Sequence, residues 1–222
     1  MANKFKPTEY NNHLDLPLTI NSVIDHIAVL RAVFNQIEAI QKEQVALMIQ
    51  SNKSQRGMTS NPEINEYYDY QLSDKFRAIE FNFYRINRVS SVLNMYAYLE
   101  ASMFRICQQK QINCNLPNSV LQVKDKGRGI GRCKIYLTEN NFMNCSDPIC
   151  KNSWDHLTYL NKLRDALAHC EGDIELTGSI TETIIKSIDG LSLFGTTIMI
   201  SDNYVLNTLD RIETFLIYLC QD

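Results

Sequence analysis

One short segment of the chain combines the residue types that proton transfer and anion binding require. The segment RDALAH, residues 164–169, contains an arginine, an aspartate and a histidine. A histidine side chain titrates near neutral pH, so it can donate or accept a proton under physiological conditions. The guanidinium of Arg164 stays charged and offers a planar fork of donors that matches a phosphate. Asp165 precedes His169 by four positions, which places both on one helical face and lets the carboxylate orient the imidazole.

The spacing of Arg164 and His169 limits what one copy of this segment can do. Residues five positions apart on a helix point about 140° away from each other, so one pair does not close neatly on one phosphate. Two chains related by a twofold axis would bring two such pairs together. The structural alternative is a buried Arg–Asp–His network that only stabilises the helix end. Cys170 has no recognisable base partner and is interpreted as a core thiol.

The segment lies in the last turns of a predicted helix. Ser153 is the predicted N-cap, Asp155 falls in the first turn, and Gly172 is the predicted glycine just after the helix end. The predicted apolar side of this helix consists of Trp154, Leu157, Leu160, Leu163 and Leu167. Residues 174–200 follow with the β-favouring runs IELTGSI and LSLFGTTIMI, which predict a small hairpin or connecting strands.

The last element is predicted to be an amphipathic helix with Ser201 and Asp202 as its cap. Its apolar residues recur every three or four positions and should face the core. They are Val205, Leu209, Ile212, Leu216 and Leu219.

A first long helix is predicted from Asn21-Ser22, a typical N-cap, to about Gln50. Its apolar stripe is Val23, Ile27, Leu30, Phe34, Ile37, Ile40 and Leu47, with Gln44 as a polar interruption. Residues 51–72 lose this periodicity and gather Ser, Asn, Gly and Pro, so they are expected to form a long polar loop. The loop tyrosines could stack on bases or dock the loop onto its own domain; they are Tyr67, Tyr68 and Tyr70.

A second long helix is predicted from Ser73-Asp74 to about Gln109. Its predicted apolar stripe is Ile79, Phe83, Ile86, Ser90, Leu93, Ala97, Glu100 and Phe104. Glu100 stands in that line, and burying a lone carboxylate is costly. We therefore expect Glu100 to be paired, either in a purely structural ion pair or with a cationic residue of the site, Arg164.

A glycine-rich basic turn, KDKGRGIGR, follows this helix. No strand precedes it and no GK[ST] is present, so neither a dinucleotide-binding nor a P-loop interpretation holds. A short helix (residues 132–138) and a polar loop (residues 139–151) are predicted after it. Five basic residues with one acid in their range form a patch suited to a phosphate backbone: Lys124, Lys126, Arg128, Arg132 and Lys134.

These features resemble the HEPN superfamily (higher eukaryotes and prokaryotes nucleotide-binding). Its signature is an arginine, usually a polar residue next, and a histidine a few positions later. The likeness covers residues 74–220 and includes the helix with an inward acid, the glycine-rich turn, the Ile135-Tyr136-Leu137 helix and the terminal amphipathic helix. Some toxins of the family carry a tyrosine two positions after the histidine as an AMP-transfer target. Here Glu171 occupies that position, so that form of control is not expected.

The resemblance implies a mainly α single domain over residues 1–222, with an N-terminal helix and loop (1–72) and a helical HEPN core (73–222). It implies a metal-independent endoribonuclease, in which His169 acts as general acid or base, Arg164 stabilises the phosphorane and Asp165 positions His169. The implied partners are an RNA substrate, a second copy that completes a composite cleft, and an antitoxin or other regulator. The implied setting is a toxin or anti-phage effector. The alternative is a catalytically silent HEPN module that binds a nucleotide or a protein.

Composition supports a soluble cytoplasmic protein. The net charge of −3 argues against indiscriminate nucleic-acid binding, no apolar run has the length of a membrane span, and no apolar region follows the N-terminal lysines. Seven cysteines without a CxxC pair suggest reduced thiols. A zinc site of Cys145, Cys150 and His156 can be drawn, but buried thiols are the better interpretation. No cofactor or metal is expected, since no carboxylate cluster accompanies the motif.

Overall fold

Helices make up most of the structure, a computed structural model that describes residues 17–58, 60–123 and 128–221, without the side chains of residues 80 and 82. The α-helices within those residues are α1 (Ile20–Gly57), α2 (Pro62–Ala78), α3 (Arg85–Asn113), α4 (Ile130–Glu139), α5 (Pro148–Cys170), α6 (Glu182–Ser187) and α7 (Asp202–Cys220). A π-helical segment (Ile79–Tyr84) joins α2 to α3, and a 3₁₀ turn (Val120–Gln122) follows α3. The prediction of a mainly α fold is confirmed.

A small antiparallel hairpin precedes α7, as the sequence predicts. Its strands are β1 (Leu191–Phe194) and β2 (Thr197–Ile200), and Leu191 pairs with Ile200. The run IELTGSI, which we expected to share in strand structure, forms turns instead, and α6 follows it. Gly190 precedes β1 in a left-handed conformation (φ 81°), where a side chain would collide with Tyr204.

The core forms where α7 packs against α1, α3 and α5. All five apolar residues predicted for α7 are buried, because a helix with neighbours on several sides must bury a continuous apolar stripe. Ser201 caps the helix by accepting the Tyr204 backbone N–H at 3.1 Å, as predicted. The leucines predicted on α5 are also buried, while Trp154 is partly buried against Phe215. No described helix combines the length and apolar character needed to cross a membrane.

The predicted loop at residues 51–72 is wrong. Helix α1 continues to Gly57, and α2 starts at Pro62 with the Asn61 side chain accepting the Glu63 N–H at 3.0 Å. Helix α2 buries none of its residues, so no apolar periodicity marks it in the sequence. It is attached to α1 by polar contacts: the Asn52 amide donates to the Tyr68 carbonyl at 2.8 Å, and Arg56 lies 3.2 Å from Asp69.

The predicted start of α1 is corrected as well. Thr19, rather than Asn21 or Ser22, is the N-cap, and its hydroxyl accepts the Ser22 N–H. Only the first half of the predicted stripe is buried, whereas Ile40 and Leu47 are exposed.

The helical character predicted for residues 74–109 is confirmed, but the predicted inward face is wrong. The buried residues of α3 are instead Asn87, Val92, Met95, Tyr96, Leu99, Ser102, Met103, Ile106 and Cys107. Phe83 and Ile86, which we predicted to face the core, are each 60% exposed. The buried face is displaced by one residue: Val92, Tyr96, Leu99 and Met103 directly precede the predicted Leu93, Ala97, Glu100 and Phe104. Glu100 consequently lies at the margin of the buried face, with its side chain 39% exposed.

Helix α5 starts earlier than predicted. Asp147 caps it by accepting the N–H groups of Ile149 and Cys150, and Ser153 is buried within the helix. At the other end Glu171 adopts the left-handed conformation (φ 51°) that we assigned to Gly172. Gly172 is also left-handed, and its N–H returns to the Ala166 carbonyl at 3.0 Å, which closes the helix end.

A buried ion pair joins α1 to α3. The Glu38 carboxylate accepts two hydrogen bonds from the Arg88 guanidinium, at 3.0 and 2.9 Å, and one from the Asn87 amide at 3.2 Å. Arg88 also donates to the Ile200 carbonyl at 3.0 Å, which ties the hairpin to the same cluster. Because Glu38 is almost fully buried, these hydrogen bonds offset the cost of removing its charge from water.

Candidate active site

An open cleft of about 520 Å³ lies where the C-terminal end of α5 meets α3 and the turn before α4. The four residues predicted for the reaction centre all line it: Glu100, Arg164, Asp165 and His169. The remaining lining residues are Tyr96, Arg128, Gly129, Asn161, Cys170, Leu176, Thr177, Gly178 and Ser179. We refer to this space as the motif cleft.

The Arg164 guanidinium is held by three neighbours. Its Nη1 donates to Asp165 Oδ1 at 2.7 Å, and its Nη2 lies 3.7 Å from Glu100 Oε2. The guanidinium carbon stands 4.4 Å above the centre of the Tyr96 ring. The pairing with Glu100 is the contact that the sequence predicts for that carboxylate. These contacts fix the direction of the fork, and they surround one cation with two carboxylates.

Gly129 brings the chain unusually close to Glu100. Its backbone is left-handed (φ 56°), and a Cβ atom there would stand 2.6 Å from Glu100 Oε1 and 3.1 Å from the Tyr96 hydroxyl. Any other residue would therefore force these groups apart. The glycine-rich turn was noted in the sequence for its charge, but its close approach to Glu100 was not foreseen.

Tyr96 is a member of the site that sequence reasoning missed. Burial, together with the nearby Glu100 carboxylate, raises the pKa of Tyr96 to about 12. Its hydroxyl therefore stays protonated at neutral pH and can act as a hydrogen-bond donor rather than as a base. The available signal was its position four residues before Glu100, which places both side chains on one face of α3.

His169 lies in the last turn of α5 and is exposed to solvent. It lines the motif cleft together with Arg164, so the two residues meet one space despite their angular separation on the helix. Among the described residues, the Asp165 carboxylate bonds to Arg164 and makes no hydrogen bond to His169. An exposed imidazole beside a fixed guanidinium can contact a phosphodiester bound in the cleft.

A second cleft of about 530 Å³ adjoins the motif cleft, and His169, Cys170 and Leu176 line both. Arg85, from the first turn of α3, lines this second space and donates a hydrogen bond to the Glu171 carbonyl. Sequence reasoning did not select Arg85. It comes close to the motif only because the loop after α5 folds back towards α3.

The basic patch is only partly assembled. Lys124 and Lys126 lie outside the described residues. Arg128 is exposed and lines the motif cleft. Arg132 is half-buried on α4, and the Lys134 ammonium lies 4.7 Å from the centre of the Trp154 ring. Of the three described members, Arg128 is therefore the one placed to meet a ligand in the cleft.

The zinc site that can be drawn on paper is not assembled. Within the described ranges, no three cysteine, histidine or acidic side chains converge as a metal site would require. His156 instead shares a hydrogen bond with the Thr208 hydroxyl at 2.9 Å, and burial lowers its pKa to about 4. Cys150 is buried, while Cys145 is exposed.

Comparison with known protein families, with curated proteins and with solved structures found no match to this chain.

Proposed function

We propose that this chain is a HEPN-like, metal-independent endoribonuclease that cleaves RNA through its own 2′-hydroxyl. The observation that carries the proposal is that Arg164, Asp165, His169 and Glu100 line one open cleft at the end of α5. A purely structural Arg–Asp–His network would be buried, whereas His169 is exposed and the cleft has room for a nucleotide.

The reaction needs a base and an acid at one phosphodiester. The 2′-oxygen forms a bond to phosphorus as the base removes its proton, and the bond from phosphorus to the 5′-oxygen breaks as the acid protonates the leaving oxygen. His169 would perform one of these transfers. A second copy of the chain, related by a twofold axis, would supply the other histidine and complete a composite cleft. The neighbouring 2′-hydroxyl is already held beside the phosphorus, so no activated water is required.

Arg164 would stabilise the negative charge of the phosphorane, since its fork can donate two parallel hydrogen bonds to phosphate oxygens. Asp165 and Glu100 orient the guanidinium. When RNA binds, phosphate oxygens would replace part of the contacts that these carboxylates make with it. A direct contact from Asp165 to His169 remains a prediction for the RNA-bound dimer. Tyr96, protonated at neutral pH, can donate a further hydrogen bond from the wall of the cleft.

The biological role that we propose is a cytoplasmic toxin or anti-phage effector, controlled by an antitoxin or another regulatory partner. This part of the proposal rests on the family resemblance alone. Low-level expression should arrest growth, and His169→Ala should relieve the arrest. Growth arrest that persists in the His169→Ala strain would contradict the proposed origin of toxicity.

Cleavage of RNA in excess EDTA tests the chemistry directly. The expected products end in a 2′,3′-cyclic phosphate (or the 3′-phosphate formed from it) and a 5′-hydroxyl. DNA, and RNA with a 2′-O-methyl group at the cut site, should resist cleavage because both lack the nucleophile. Strict dependence on Mg²⁺ or Mn²⁺, or products that end in 5′-phosphate, would contradict the mechanism.

The second candidate is a catalytically silent HEPN module that binds a nucleotide or a protein. One observation favours it: Arg164 is already engaged by two carboxylates, which an incoming phosphate must partly displace. This candidate predicts nucleotide or protein binding with no cleavage in wild type, and no change in RNA integrity on replacing His169.

A further inference from the structure

The cleft that adjoins the motif cleft differs from it in chemistry. The two share His169, so a nucleic acid strand bound in the motif cleft can continue past the histidine into this second space. We call it the Arg85 cleft. Besides the shared residues it is lined by Phe81, Arg85, Glu171, Asp173 and Thr197. It therefore offers an aromatic ring and a cation directly beside the proposed acid–base residue.

The Arg85 guanidinium has more hydrogen-bond donors than it has acceptors among the described residues. A guanidinium has five N–H donors, and the described acceptor for Arg85 is the Glu171 carbonyl. Its Nε is buried without an acceptor, and within the described residues no carboxylate forms an ion pair with it. Arg164, by contrast, is engaged by two carboxylates. An anion in the Arg85 cleft would therefore meet a guanidinium that has no carboxylate partner among the described residues.

The position of Arg85 is fixed by the turn after α5. A Cβ atom on Gly172 would stand 3.2 Å from Arg85 Nη2, so the guanidinium packs closely against that turn. The left-handed Gly172 closes α5 directly after the motif, so Arg85 of α3 packs against the turn that ends the helix of His169.

An aromatic pair stands beside this cation. The Phe81 and Phe194 ring centres are 4.5 Å apart at an interplanar angle of 71°, and Phe194 is 59% exposed at the end of β1. Phe81 is half-buried and lines the Arg85 cleft. An aromatic ring in such a position offers a surface on which a base can stack without sequence preference. The edge-to-face packing holds Phe81 in place from the hairpin side.

We infer that the Arg85 cleft is a nucleotide subsite next to the scissile phosphodiester, in which Phe81 stacks the base and Arg85 binds the flanking phosphate. The inference rests on the proposed ribonuclease function and extends it. Asp173 and Glu171 also line the cleft, and their negative charge restricts phosphate binding there to a single contact with Arg85. The Asp173 carboxylate already accepts the Glu175 N–H at 2.9 Å, and this hydrogen bond restricts its orientation.

Binding of a single-stranded RNA that cannot be cleaved tests the subsite. The probe is a fully 2′-O-methylated strand of about twelve nucleotides with a fluorophore at one end, within the usual span of one such site. Arg85→Gln should weaken binding roughly tenfold, as expected for a lost charge-assisted hydrogen bond. It should also lower the slope of log affinity against log salt by about 0.7, the value for one phosphate contact on a single strand. Anisotropy titrations over a salt series measure both.

Arg56→Gln is the matched control, because Arg56 is a paired surface arginine that lines neither cleft. It should leave the affinity, the salt slope and the cleavage rate unchanged. Arg85→Lys keeps the charge without the fork and should retain the salt slope while losing part of the affinity. Circular dichroism and the melting temperature establish that each variant is folded.

A single abasic position moved along the same strand tests the stacking. In wild type, one position should cost roughly tenfold in affinity. Phe81→Leu keeps apolar volume but removes the aromatic ring. In this variant the abasic position should no longer lower the affinity, because the base at that position has no ring on which to stack. The Phe81→Leu arm does not depend on Arg85, so it stays decisive if Arg85→Gln fails to fold.

The outcomes separate the subsite from the proposed function. If Arg85→Gln and Phe81→Leu bind the probe like wild type while His169→Ala abolishes cleavage, the subsite is wrong and the ribonuclease stands. If Arg85→Gln slows cleavage with unchanged affinity and salt slope, Arg85 only positions the end of α5, and the subsite is again wrong. If wild type cleaves no RNA but Arg85→Gln and Phe81→Leu still weaken binding of the probe as expected, the enzyme proposal fails and a nucleotide-binding site at Arg85 and Phe81 stands. No binding of the probe overturns the subsite inference.

Discussion

The middle of α5 and its C-terminal end each carry a histidine, and the two lie in opposite environments. His156 is half-buried against α7, where its ring stacks on Tyr204 at 5.8 Å and its Nε2 lies 2.9 Å from the Thr208 hydroxyl. That hydroxyl donates to the Tyr204 carbonyl at 2.7 Å, so the imidazole donates to it. His169 is exposed between two clefts. The helix face and its neighbours, rather than the residue type, decide which histidine can exchange protons with a ligand.

The comparison also distinguishes polar groups that stabilise the fold from polar groups that are available to a ligand. In the buried part of the helix, Ser153 and His156 satisfy their hydrogen bonds locally and hold α5 in place. At the end of the helix, Arg164 and His169 face open space. Substitutions at the two sites should therefore change different measurements: stability in the middle, and activity at the end.

The largest expected effect is on the cleavage rate. His169→Ala should lower the rate by roughly two to four orders of magnitude, the usual contribution of general acid–base catalysis. Its melting temperature should stay near that of wild type because the side chain is exposed. The control is His156→Asn, which removes the imidazole and its hydrogen bond to Thr208 and should keep the rate while lowering stability. An equal loss of rate in both variants would contradict the prediction that His169, and not His156, takes part in cleavage.

The next effect is on stability as a function of pH. Burial, helped by the positive charge of Arg211, lowers the pKa of His156 from 6.5 to about 4. The unfolded chain binds a proton at a higher pH than the folded chain, so stability is complete above pH 6.5 and falls as the pH drops towards 4. The shift corresponds to about 3 kcal/mol.

Denaturant titrations from pH 7 to pH 4 measure this loss. Carboxylates also titrate in that range, so the informative quantity is the difference between wild type and His156→Asn. The variant should show a shallower fall in the free energy of unfolding, since it has no imidazole to protonate. Parallel pH profiles for the two proteins would show that His156 is not held neutral by the fold.

A smaller effect is expected from Arg164→Lys at the end of α5. An ammonium cannot reproduce the bidentate fork, so the cleavage rate should fall by roughly a hundredfold, as for loss of one transition-state donor. The charge remains, so the affinity for a 2′-O-methylated strand should change little. Single-turnover rates and anisotropy titrations measure the two quantities. A rate close to that of wild type would show that Arg164 only pairs with Glu100 and Asp165.

The smallest effect concerns the basic patch. Arg128 lines the motif cleft, whereas Arg132 lies half-buried on α4. Arg128→Glu should weaken RNA binding and lower the salt slope by about 1, without changing which bond is cut. Arg132→Glu is the comparison and should have the smaller effect on the slope. Equal slopes for both variants would place the RNA backbone along the whole turn.

Local patterns were sufficient for much of the fold. The five apolar positions of α7 and the leucines of α5 recur with the helical period, and all of them are buried. The hairpin before α7 was one of two alternatives, a small hairpin or connecting strands, that the β-favouring runs of residues 174–200 predicted. The loop predicted at residues 51–72 was wrong because α2 has no buried side. A helix held by polar contacts such as Arg56–Asp69 leaves no periodic apolar signal.

The motif itself was visible in the sequence, because Arg164, Asp165 and His169 lie within one helical segment whose spacing can be read directly. Only the tertiary structure decided what surrounds it. Packing of α3 against α5 brings Tyr96 and Glu100 to Arg164, and Arg85 and His169 line one cleft beside the turn after α5. These contacts join residues far apart in the chain, and they depend on helix phase and packing that no local spacing encodes. The same packing buries His156 and exposes His169 on one helix.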